Sequence, residues 1–145
     1  MRRLSDIWQS LRSLPGWVQV WVLAILVPVN IVPFFFLDTA TGLAASLAAV
    51  FVAVTNMPLM WIYRGMNKVM SIPHLFAWFP LSIYLLLCLA DDSYRENMAS
   101  AELVMVLVLL VVNGISLVFD AVDSWKWIRG DRMTPGLELT ESDIK

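Results

Sequence analysis

Polar side chains that could contact an ion or a solute are few in this chain, and they lie inside long apolar stretches. The candidates are Asn30, Thr55, Asn56, Asn113 and Ser116. Each asparagine lies near a residue that weakens helical structure. Asn30 and Asn56 lie near prolines, and Asn113 precedes a glycine. Amides and hydroxyls on irregular backbone at membrane depth can replace the hydration shell of a solute. The pattern therefore predicts a polar pathway.

The alternative role for these amides is to hold helices together. An interhelical hydrogen bond in lipid contributes on the order of 0.6–2 kcal/mol. At about 1.5 Å per residue, Asn30, Asn113 and Asn56 lie roughly 20, 14 and 10 Å from the cytoplasmic ends of their helices. Asn30 and Asn113 could therefore meet, whereas Asn56 belongs to a lower level. Two interpretations remain open: the amides could line a pathway at successive depths, or they could only pack helices together.

Two carboxylates, Asp120 and Asp123, stand one helical turn apart where the last apolar stretch ends. Their functional interpretation is a cation-attracting cytoplasmic mouth, or a ring in an oligomer. Carboxylates near the C-terminus of a helix oppose its dipole and need a partner. The alternative is therefore an ion pair with Arg64, Lys68 or Arg129.

His74 is the one histidine of the chain, and Cys88 is the one cysteine. His74 could sense pH, because an imidazole ordinarily changes charge near neutral pH. It could equally cap a helix start or contact lipid headgroups. One histidine and one cysteine are too few for a transition-metal or haem site, so we expect no metal and no cofactor.

Charged residues are absent from the middle of the apolar stretches, which argues against a proton-driven pump within one chain. The sequence also lacks a glycine-rich phosphate loop, the elements of a catalytic triad and a basic–aromatic pattern for nucleic acid. We therefore expect neither an enzyme nor a nucleic-acid partner.

The elements that must position these residues are four apolar stretches. The chain of 145 residues is 59% hydrophobic and 15% charged, whereas a soluble domain has about a quarter of its residues charged. Each stretch can cross a hydrocarbon core of about 30 Å as a helix. We predict an all-α integral membrane protein with one domain over residues 1–132. Its transmembrane helices cover about 17–37, 41–63, 72–90 and 101–122.

The segments outside these helices carry their own patterns. Residues 2–14 have apolar side chains at helical spacing on one face, which predicts an amphipathic helix in the headgroup plane. Docking against a neighbouring subunit is the alternative. Residues 133–145 are polar and acidic after a Pro-Gly break, and they predict a flexible tail.

The distribution of basic residues predicts the orientation. Of ten lysines and arginines, only Arg95 falls on the side of the acidic loops. The positive-inside rule then places both termini in the cytoplasm, and an even number of spans agrees. We expect a multi-pass protein of a membrane, most simply a bacterial inner (plasma) membrane.

Two functional hypotheses follow. The first is a small oligomeric channel or passive facilitator for an ion or small polar solute. The second is a non-catalytic accessory or assembly subunit of a larger membrane complex. Its docking surfaces would be the small residues of the second span and the tryptophan-rich cytoplasmic rim. The partners implied are the lipid bilayer and either further copies of this chain or another membrane protein.

Overall fold

The computed structural model describes residues 2–137, and those residues form helices and loops without a strand. Four helices are long and apolar enough to cross a membrane. The predicted all-helical fold with four helices of spanning length is therefore confirmed. The helices are α1 (Arg2–Ser13), α2 (Gly16–Phe35), α3 (Ala40–Ile62), α4 (Ser71–Ala90), α5 (Asp92–Asn97) and α6 (Ser100–Ile128).

Helix α2 is irregular where its prolines require it. A π-helical turn covers Trp21–Leu26, directly before Pro28, and a 3₁₀ turn covers Val32–Phe35 around Pro33. Proline has no backbone N–H and its ring clashes with the preceding turn, so regular α-helical hydrogen bonding cannot continue through it. The altered turns keep the chain helical over a length that suits a membrane.

Helix α6 is the inner helix of the bundle. It contacts α2, α3 and α4, and its interface with α4 is the largest between any two helices of the described chain. Large apolar side chains interlock across this interface, including Leu85 of α4 with Val106 and Leu109 of α6, each at most 1% exposed. The apolar core therefore lies along α6.

The outside of the spanning helices is apolar. Every exposed residue in four ranges is hydrophobic, alanine or proline. The ranges are 20–37, 43–62, 72–90 and 101–122. Broad exposed apolar surfaces mark contact with a membrane or with another protein. The exterior of this bundle suits lipid or apolar helices of a partner.

Helix α1 lies across the end of the bundle that carries Arg64, Lys68 and Arg129, which we call the basic end. The Asp6 carboxylate accepts a hydrogen bond from Arg64 Nε at 2.8 Å. Ser10 is fully buried, and its Oγ accepts from the backbone N–H of Met66 at 2.9 Å. The polar face of α1 is thus docked on its own chain.

The apolar face of α1 stays open, because Leu4 is 64% and Trp8 is 59% exposed. An exposed apolar face of this kind suits the headgroup layer or a partner, and the interfacial location stays a prediction. Gln9 of α1 donates to the carbonyl of Gly136, so both ends of the described chain lie at the basic end.

The segment after α6 also packs against the basic end. Thr134 is 1% exposed, and its hydroxyl donates to the carbonyl of Tyr63 at 3.2 Å. Gln9 Nε2 of α1 donates to the carbonyl of Gly136 at 3.0 Å. The packed chain therefore extends past residue 133, where the sequence predicted a flexible tail. Residues 138–145, most of that predicted tail, lie outside the described residues.

Two helical glycines give a matched test of this packing. A Cβ at Gly42 would collide with the backbone of Phe36, whereas a Cβ at Gly114 would meet nothing within 4 Å. We expect Gly42→Ala to lower the free energy of unfolding by about 1–3 kcal/mol. Gly114→Ala should be neutral or stabilising by up to about 1 kcal/mol. Detergent-denaturant titration followed by circular dichroism measures both, and equal losses would contradict the packing described here.

Candidate functional site

The middle of the bundle holds a reciprocal pair of asparagines. Asn30 Nδ2 donates to Asn113 Oδ1 at 2.9 Å, and Asn113 Nδ2 donates back to Asn30 Oδ1 at 3.2 Å. Asn30 Nδ2 also donates to the carbonyl of Leu26 at 3.0 Å. Asn113 is 1% exposed. The structure thus brings together the two amides that depth alone allowed to meet, and each amide uses the other as donor and acceptor.

Ser116 and Thr55, the two hydroxyl residues predicted for the site, lie in different surroundings. Ser116 lies one turn from Asn113 and accepts from Trp21 Nε1 at 3.2 Å, so it links α6 to the π-helical turn of α2. Thr55 donates to the carbonyl of Phe51 in its own helix at 2.7 Å. Ser116 therefore belongs to the central interface, whereas Thr55 stands apart from it.

Asn56 belongs to a second cluster, nearer the basic end. Its Nδ2 lies 2.7 Å from His74 Nε2, and His74 Nδ1 lies 3.1 Å from Asp120 Oδ1. The imidazole stacks on Trp78 with ring centroids 4.3 Å apart. This hydrogen-bonded chain crosses α3, α4 and α6 in sequence. His74 is consequently an interhelical residue, a role that sequence reasoning did not consider.

The hydrogen bonds among Asn56, His74 and Asp120 indicate which tautomer of His74 fits this arrangement. An amide nitrogen only donates, so His74 Nε2 must accept from Asn56. With the amide in this orientation, the imidazole proton belongs on Nδ1, where Asp120 Oδ1 can accept it at 3.1 Å. Asn56 Oδ1 and Asp120 Oδ2 are buried and have no hydrogen-bond partner among the described residues.

The predicted mouth carboxylates have different surroundings. Asp120 is paired with His74, and the basic partners suggested by the sequence lie elsewhere: Arg64 binds Asp6, and Lys68 Nζ lies 3.0 Å from Asp131. Asp123 is partly buried and takes no part in the His74 chain.

A third polar cluster lies at the opposite end, which carries Asp38, Asp91 and Glu96 and which we call the acidic end. Glu102 is 6% exposed, and its Oε1 accepts from the hydroxyl of Thr41 and from Tyr94 Oη, the latter at 3.4 Å. Burial, followed by the nearby Glu102 charge, raises the pKa of Tyr94 above its ordinary value, so this phenol keeps its proton and remains a donor.

Beside Glu102 is an open cavity of about 430 Å³. Polar side chains line it, including those of Thr39, Asp91, Ser93 and Asn97. Sequence reasoning did not identify Glu102 as a candidate site residue. The available signal was spacing, because Glu102 precedes Asn113 by 11 residues, about three helical turns, and so shares its face.

Apolar packing separates the Glu102 cluster from the asparagine pair. Glu102, Asn113 and Asp120 lie along one face of α6, but Val106 and Leu109 stand between the first two and are at most 1% exposed. Both belong to the core cluster. These polar groups therefore do not form one continuous path along the whole of α6.

The asparagine pair can be tested by a double-mutant cycle. We expect Asn30→Leu and Asn113→Leu each to lower the free energy of unfolding in micelles by about 0.6–2 kcal/mol. The double variant should lose about as much as either single variant, because each single change leaves the other amide unpaired. Thr55→Val is the control, since Thr55 bonds only its own helix. Fully additive losses would show that the pair does not act as a unit.

The remaining candidates for chemistry are a metal site and the cysteine. Residues 2–137 contain no group of three or more His, Cys, Asp or Glu side chains that could hold a metal ion. Cys88 is buried with a free thiol. Comparison with protein-family models, with curated proteins and with solved structures gave no match.

Proposed function

We propose that this chain is a non-catalytic accessory subunit of a larger membrane complex. The observation that carries the proposal is how the polar groups of the spanning helices are used. Asn30, Asn113 and Ser116 satisfy one another or a neighbouring helix. Interior amides in this arrangement stabilise a helix bundle, and a bundle of this kind acts through its surface.

A pore inside one chain has little support. The two central amides are each other's partners at 2.9 and 3.2 Å. Between them and Glu102, the side chains of Val106 and Leu109 fill the interior. A conducting path would require both the amide pair and this apolar layer to separate.

A pore between copies of the chain is also disfavoured. Its lining would come from the exterior of the spanning helices, where the exposed residues are apolar throughout. Valine, leucine, isoleucine and phenylalanine cannot replace the hydration shell of an ion. The same exterior suits the helices of a partner.

The docking surface that we propose is the tryptophan rim of the basic end, formed by Trp8, Trp17, Trp61 and Trp125. These side chains are 48–60% exposed. Tryptophan and arginine are enriched where proteins bind one another, and Arg129 stacks over Trp125 at 4.4 Å. The small residues of α3 are the weaker candidate, because Gly42, Ala45 and Ser46 are already buried inside this chain.

A passive channel or facilitator is the second candidate. The observation in its favour is the polar face of α6, which carries Glu102, Asn113 and Asp120 at successive depths. Under this hypothesis the asparagine pair is a closed gate, and Val106 with Leu109 is an apolar constriction that opens by dewetting.

The test is a gentle pull-down of the tagged chain from its own membranes, followed by mass spectrometry of the intact assembly. We expect a second membrane protein at defined stoichiometry. The double variant Trp61→Leu/Trp125→Leu should reduce its recovery several-fold. Phe35→Leu, which changes an 80% exposed aromatic residue away from the rim, should leave recovery unchanged. A homo-oligomer without a partner that conducts in liposomes would overturn the proposal and favour the facilitator.

A further inference from the structure

The cluster of Asn56, His74 and Asp120 has features that helix packing alone does not require. It combines an imidazole with a carboxylate in the interior, and it leaves Asn56 Oδ1 and Asp120 Oδ2 without a hydrogen-bond partner among the described residues. We propose that these three residues form a proton-binding site with two hydrogen-bonding arrangements, one for each charge state of His74. The inference does not depend on the accessory role proposed above.

The first arrangement is the one observed, and it requires neutral His74. The Asn56 amide nitrogen, 2.7 Å from Nε2, can only donate, so Nε2 has its lone pair and Nδ1 has the proton. Nδ1–H donates to Asp120 Oδ1 over 3.1 Å.

The second arrangement follows when a proton from water binds the Nε2 lone pair. The new N–H bond would point at the amide N–H of Asn56, so two donors would face each other. Rotation of the amide by about half a turn about its terminal torsion presents Asn56 Oδ1 instead, and this torsion has two broad minima. The oxygen that lacks a partner in the first arrangement accepts the new N–H in the second. No other covalent bond changes. Nδ1 keeps its proton and still donates it in the hydrogen bond to Asp120.

Few charged groups among the described residues surround the site. The ionisable groups that act on Asp120 are His74, on α4, and Asp123, on α6 itself. Helix α3 contributes the neutral Asn56, and Trp78 of α4 stacks on the ring without adding charge. Arg64 and Lys68 are paired with Asp6 and Asp131. In the second arrangement the imidazolium would form an ion pair with Asp120, 3.1 Å from Nδ1.

The site is close to the surface of the bundle and to a proline in α3. The side chains of His74 and Asp120 are 17% and 14% exposed. Asn56 precedes Pro58 by two residues within α3. Proline cannot donate to the carbonyl of Val54, so the helix lacks one backbone hydrogen bond there. The Asn56 amide therefore lies in the turn that Pro58 interrupts.

The test uses the fact that the chain has one histidine. Protein with ¹⁵N-labelled histidine and asparagine in lipid nanodiscs gives one imidazole, whose long-range ¹H–¹⁵N spectrum reports which nitrogen carries the proton. At alkaline pH we expect a single Nδ1–H tautomer. As the pH falls, both ring nitrogens should become protonated, and the Asn56 side-chain amide resonance should shift with the same midpoint.

Matched variants identify the partners. Asp120→Asn should abolish the single-tautomer state, because an amide at that position can either accept from Nδ1–H or donate to Nδ1. Asp123→Asn, one turn away, should preserve it. The proposal is overturned if folded wild-type protein has mixed tautomers at alkaline pH. It is also overturned if His74 does not titrate, or if it titrates while the Asn56 amide resonance stays fixed. Circular dichroism confirms that each variant is folded, and the wild-type spectra decide the result if a variant is not.

Discussion

The constraint on which this bundle depends is that polar groups surrounded by apolar matter must find partners within the protein. An unpaired amide or carboxylate in hydrocarbon costs several kcal/mol. Helix α6 carries Glu102, Asn113 and Asp120 on one face, and each has its partner on a different neighbouring element. This requirement makes α6 the inner helix and determines which face it turns inward.

Each polar residue of α6 fixes the position of another part of the chain. Asn113 with Ser116 holds α2, Asp120 holds α4 and through His74 also α3, and Glu102 holds the first turn of α3. Between the levels of Glu102 and Asn113 the core is apolar, with Val106 and Leu109 almost fully buried. The hydrogen bonds specify how the helices are rotated and aligned, while van der Waals contacts hold them together where lipid removes the hydrophobic driving force.

The basic end is organised differently from the interior. Its contacts are ionic and backbone hydrogen bonds that join α1, the loop after α3 and the segment after α6, as in Asp6 with Arg64 and Thr134 with Tyr63. The proton-binding cluster lies just beneath this layer. A change in the charge of His74 would act on Asn56, two residues before Pro58 in α3.

The sequence by itself determined the properties that depend on neighbouring residues. Length and apolarity define four helices of spanning length, proline positions locate the irregular turns of α2, and residue counts place Asn30 and Asn113 at depths where they can meet. The sequence could not show that His74 joins Asn56 to Asp120, that Glu102 is buried against Thr41, or that Thr134 packs beneath Tyr63. These contacts join residues that are 18 to 71 positions apart. Only the tertiary structure decided them, because they depend on the order of the helices in the bundle and on the rotation of each about its axis.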